Sequence, residues 1–95
     1  MAKSLASTRR RTVSEDRVIK ALERVFRARF PHDTVDVSYG YEDNIHVTVV
    51  SREFDKLETR ERQDIMWEIV ERAGLSEEEK ARISLLHPVS VSDIK

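Results

Sequence analysis

Arg17, Lys20, Arg24 and Arg27 recur at intervals of three, four and three, which gathers their side chains along one side of a helix. A row of cations spaced this way can contact nucleic-acid phosphates, an interaction that positions a ligand but carries little sequence information. Arg9, Arg10 and Arg11 stand a few residues earlier and would extend the row into one basic surface. A second reading stands beside it: lysine and arginine commonly form the solvated side of an amphipathic helix and then bind nothing.

Other chemistry is harder to assemble. His32, His46 and His87 occur singly, without the H-x-x-x-H or E-x-x-H spacing that puts two metal ligands on one helical face. Glu77, Glu78 and Glu79 form an acidic run at a helix start, where the macrodipole favours carboxylates without any catalytic purpose. There is no nucleophile elbow, phosphate-cradling glycine loop or dinucleotide fingerprint. The sequence therefore predicts no enzyme, no metal and no cofactor. His46 and Trp67 remain as candidate protein contacts. Trp67 falls off the apolar stripe of its helix, where tryptophan either marks an interface or packs over a neighbouring loop.

Ninety-five residues, 39% of them hydrophobic, suffice for one domain with a single core. The absence of cysteine removes disulfides and thiolate chemistry and suits a cytoplasmic protein. No apolar run is long enough to span a bilayer, so no membrane association is expected. The net charge of −1 conceals a polarity: residues 1–30 hold nine Lys/Arg against three Asp/Glu, and residues 31–95 hold eight against fifteen. That asymmetry fits an anionic ligand for the N-terminal part, and equally a basic helix docked on its own acidic remainder.

The elements that must position these groups follow from periodicity. Residues 1–13 lack an apolar pattern and read as a disordered basic tail; their Ser- and Arg-rich, acid-poor start faintly matches an organelle transit segment. Residues 14–95 read as one domain. Ser14 is the expected N-cap of a first helix, with Glu15 and Asp16 in its first turn, an apolar side of Val18, Ile19, Leu22, Val25 and Phe26, and an end near Phe30. Val35, Val37 and Tyr39 alternate with polar residues, GYEDN supplies a turn, and Ile45, Val47 and Val49 alternate again, predicting a hairpin with Asp36, Ser38, His46 and Thr48 on its polar side. Phe54 and Leu57 anchor the connection to a second helix, expected after Thr59, with Ile65, Met66, Ile69, Val70 and Ala73 inward and Gly74 as its stop. Ser76 and Glu79 fit a capping box over a short turn at 77–81. Ile83 and Leu85 then read as the inward residues of a third strand ended by Pro88 and parallel to the second, and the tail from Ser90 as one more helical turn.

The order α-β-β-α-β, with Val50, Ser51, Phe54 and then Arg62 in VVSREFDKLETRER, resembles the BolA family, small domains related in shape to type II KH folds. The resemblance covers about residues 14–94 and continues, more weakly, through RISLLHPVSVSDI. It implies an α+β fold in which a three-stranded mixed sheet is covered on one face by two helices, and a role in transcription regulation. It also implies a histidine after the arginine and a second one early in the third strand that ligates an iron–sulfur centre with a glutaredoxin. Here those positions hold Gln63 and Arg82, and arginine offers only donors. The loop ligand is absent unless His46 replaces it. KH domains grip nucleic acid with a G-x-x-G loop, whereas the only glycines here are Gly40 and Gly74.

Two functional expectations result. One is a non-enzymatic domain binding nucleic-acid phosphates through Arg9, Arg10, Arg11, Arg17, Lys20, Arg24 and Arg27. The other is an adaptor, with a glutaredoxin-like protein as a possible partner class, that uses the open sheet face, His46 and Trp67. An assembly subunit pairing through an open sheet edge is a third.

Overall fold

The computed structural model describes residues 16–94. The expected tail at 1–13, the cap at Ser14 and the triplet Arg9, Arg10 and Arg11 lie outside them.

The first helix, α1 (Arg17–Arg29), is capped by Asp16 rather than by Ser14, its carboxylate accepting from the Val18 and Ile19 N–H groups. Asp16 therefore stands just before the first turn, where its charge also complements the positive end of the helix. Val18, Ile19, Leu22, Val25 and Phe26 are buried, as their spacing requires. α1 stops at Phe30, ahead of Pro31, which disfavours helical backbone in the residue before it.

The hairpin β1 (Thr34–Tyr39) and β2 (Ile45–Ser51) pairs antiparallel with Asp36 opposite Thr48 and Ser38 opposite His46. Its turn, Tyr41–Asp43, places Glu42 at φ 52 and Asp43 at φ 65. Both lie in the left-handed region that residues with a Cβ enter at a cost. Gly40 answers a different demand: a Cβ there would fall 2.3 Å from the His46 Nε2.

After β2, Ser51 accepts a hydrogen bond from the Glu53 N–H and starts a 3-10 turn, Arg52–Phe54, that drives Phe54 fully into the core. There its ring meets Phe30 at 5.6 Å between centroids. α2 (Thr59–Glu71) begins with Glu61 accepting from the Glu58 N–H, so Thr59 is already helical. Its last turn tightens into bonds from Arg72 to Ile69 and from Ala73 to Val70, and Gly74 leaves at φ 69. The short α3 (Glu77–Ala81) carries the expected reciprocal cap between Ser76 and Glu79.

β3 (Ile83–Ser90) runs parallel to β2, giving the sheet order β1-β2-β3. Simple alternation fails here. Ile45 pairs with Ile83 but His46 with Leu85, leaving Ser84 as the extra residue of a bulge. The phase inverts, so Leu86 is buried at 7% exposure while Leu85, expected inward, is 42% exposed. The strand also continues through Pro88, since an edge strand tolerates a residue without an N–H. The closing turn α4 (Val91–Ile94) is tied back by Asp93, which accepts from Ser90 N–H and from Arg62.

The core draws Val37, Ile45, Val47, Val49 and Leu86 from one face of the sheet, together with the buried sides of α1 and α2. Both helices therefore cover that face. Asp36, Ser38, His46, Thr48, Leu85 and His87 occupy the other face, over which none of the described helices packs its core side.

Candidate nucleic-acid interface

Burying five apolar side chains of α1 fixes which side of the helix meets water. Arg17, Lys20, Arg24 and Arg27 are all exposed there, as their spacing predicted. They do not form one uniform row. Arg17 is bound to Glu79 of α3 at 2.5 Å, and that contact holds the carboxyl of Glu79 below its ordinary range together with the Ser76 backbone, the larger cause. Arg27 lies 3.7 Å from Glu23 and donates to the Val35 carbonyl at 3.5 Å. Among the described residues, Lys20 and Arg24 have no acidic partner.

Beside Arg24 the surface turns concave. Arg24, Val25, Ala28 and Arg29 of α1 and Arg72, the C-cap of α2, line a pocket of about 240 Å³. Arg29 makes two parallel hydrogen bonds to the Glu53 carboxylate, one of 2.8 Å, and sits 4.7 Å over the Phe30 ring. Glu53 raises the pKa of Arg29 above its ordinary value, and Arg29 lowers that of Glu53. Arg72 is exposed and, like Arg24, unpaired among the described residues. The sequence reading missed Arg29 and Arg72. Arg29 falls outside the three-four-three spacing, and Arg72 joins α1 only because the two helices pack together.

The arginine that the BolA resemblance sets at a ligand position has a structural task. Arg82 donates to both carboxylate oxygens of Asp16, at 2.8 and 3.5 Å, and the Tyr39 hydroxyl donates to the same carboxylate at 2.5 Å. Burial alone would push the Asp16 carboxyl up; the hydrogen bonds from Arg82, Tyr39 and Val18 outweigh it and hold the group far below its ordinary value. Arg62 likewise braces the fold, donating to the Leu57 carbonyl at 2.9 Å and to Asp93 at 3.1 Å.

His46 and Trp67 lie on different elements, and Leu85 stands between them. Leu85 neighbours His46 across the ladder and, with Ile83, Ser84, Leu86, Gln63 and Trp67, lines a groove of about 300 Å³. Trp67 is 42% exposed in that groove, so it packs beside the edge strand rather than over a loop. Gln63, where the resemblance implies a histidine, donates to the Leu86 carbonyl at 2.9 Å. His32 follows α1 in an exposed turn. No group of three or more His, Cys, Asp or Glu among the described residues is arranged to hold a metal ion, and none of the described helices is long and apolar enough to cross a membrane.

Fold and surface together define a small α+β domain with a mixed three-stranded sheet and one helix that carries its positive charge outward. Compared with known proteins, the chain matches no family model, no curated protein and no solved structure.

Proposed function

We propose that this chain is a non-enzymatic binding domain, BolA-like in shape, that contacts nucleic-acid phosphates along α1. Lys20 and Arg24 are the central contacts, with Arg27 beside them and Arg9, Arg10 and Arg11 preceding them in the chain. The observation that supports this reading is that Lys20 and Arg24, in the middle of the α1 row, are exposed cations without an acidic partner among the described residues, whereas Arg17 and Arg27 at its ends each have one. Each phosphate contact releases condensed counterions, so binding weakens with salt in proportion to the number of contacts. A role in transcription regulation and a cytoplasmic location belong to the same reading.

The test is binding to duplex DNA and RNA across a salt series. Wild type is expected to bind at low salt, and K20A/R24A to lower the log–log salt slope by about two. Undetectable binding at low salt, or an unchanged slope in the double variant, overturns the reading.

A second reading is favoured by a different observation, the groove in which Trp67 and Leu85 are each 42% exposed. There the domain is an adaptor for a protein, with a glutaredoxin as the partner class to try. Titration with a monothiol glutaredoxin would quench or shift Trp67 fluorescence on this reading and leave it unchanged otherwise.

A further inference from the structure

The pocket between α1 and the end of α2 differs from the rest of the basic surface. Its cations come from two helices and converge on a concavity, whereas a backbone phosphodiester needs only an exposed row. Arg29 is neutralised by Glu53, and Glu68 and Asp33 lie near enough to add negative field to it. Arg29 is thus a fixed wall whose net contribution is small. Arg24 and Arg72 are left as two guanidiniums without an ion pair among the described residues, lining one space of about 240 Å³ together with the apolar Val25 and Ala28 and no carboxylate.

Two free forked cations match a group that carries close to two negative charges and several acceptor oxygens. A phosphate monoester fits that description near neutral pH, at about −1.5 to −2, while a backbone diester carries a single charge. The volume is several times the roughly 30 Å³ share of one water, room for a phosphate and part of its sugar. We propose that Arg24 and Arg72 form a subsite for the terminal phosphate monoester of a nucleic-acid strand. This rests on the nucleic-acid reading above.

The experiment compares one single-stranded oligonucleotide bearing a 5′-phosphate, a 3′-phosphate or hydroxyls at both ends. A hydroxyl-ended strand one nucleotide longer controls for added charge. Wild type is expected to bind one phosphorylated form roughly tenfold more tightly than either hydroxyl-ended strand, the size of one charge-assisted contact. Arg72→Ala, a change at an exposed residue outside the α1 row, is expected to abolish that gain while changing hydroxyl-ended binding little. Arg72→Lys, which keeps the charge without the fork, should restore part of it. Equal binding of all strands by wild type, or a gain that survives Arg72→Ala, overturns the subsite and leaves the α1 row standing. Failure of every strand to bind overturns both. A free nucleoside 5′-monophosphate that competes away only the gain supports the subsite; one that displaces every strand equally counts against it.

Discussion

Asp16 and Arg82, 66 positions apart, form an ion pair of 2.8 Å that ties the start of α1 to the start of β3. Its carboxylate is 2% exposed and its guanidinium 27%, so the negative end is the dry one. The same carboxylate caps α1 and accepts from Tyr39, which makes it the point where helix, hairpin and third strand are held together.

Removing the cation should therefore hurt more than an exposed pair would allow. Arg82→Ala takes the cation away from a buried carboxylate and is expected to cost about 3 kcal/mol. Asp16→Ala loses both the cap and the pair and should cost at least about 2 kcal/mol. Urea denaturation at neutral pH measures both.

The pH dependence follows from the direction of the shift. The folded-state pKa of Asp16 is depressed below its ordinary 3.8, so the unfolded chain takes up the proton first as the solution is acidified. Stability is then fully present above that value and falls as pH drops from about 4 toward the depressed folded pKa. Glu53, lowered chiefly by its hydrogen bonds from Arg29, acts in the same direction. Stability measured from pH 5 to 2 should decline, and Asp16→Asn should flatten that decline by up to about one proton.

The bulge at Ser84 yields a contrast that strict alternation would reverse. Leu86→Ala removes a buried side chain and should cost about 2–4 kcal/mol, whereas Leu85→Ala should cost less than about 1 kcal/mol. Thermal or chemical melts of the two variants decide the phase of β3.

Backbone conformation gives a pair of opposite effects. Glu42 at φ 52 occupies a region glycine enters freely, so Glu42→Gly should stabilise by about 0.5–1 kcal/mol. Gly74→Ala should destabilise by about 1 kcal/mol through its φ of 69 alone, because a Cβ there meets nothing within 4 Å.

Within the basic row, the ion pairs rank the contacts. Arg17 must leave Glu79 before it can serve a phosphate, while Arg24 has no acidic partner to leave among the described residues. Arg24→Ala should consequently weaken nucleic-acid binding several-fold more than Arg17→Ala, as read by salt-series affinity.

Much of this architecture is written in local pattern. The apolar side of α1, the alternation of β1 and β2, the capping box at Ser76 and the stop at Gly74 all follow from contacts or dihedrals a few residues long. Ser51 and Phe54 also explain themselves locally, as a cap and the side chain it turns inward. The misses share a cause. Ser14 and Asp16 are both good caps by type, and Asp16 has the partners, Arg82 and Tyr39, that make burying its charge tolerable. Leu85 and Leu86 are chemically identical, so only pairing with β2 could tell which faces the core.

The amino-acid order was enough to set the succession of elements, the apolar side of each and the outward placement of positive charge on α1, because periodicity and capping act within a turn or a strand. Packing settled which cations are spent and which are available. Glu79 reaches Arg17, Glu53 takes Arg29, and Arg72 arrives beside Arg24 from the far end of another helix. Coulombic pairing depends on distance through space rather than along the chain, so those assignments exist only once α1, α2 and α3 are folded against one another.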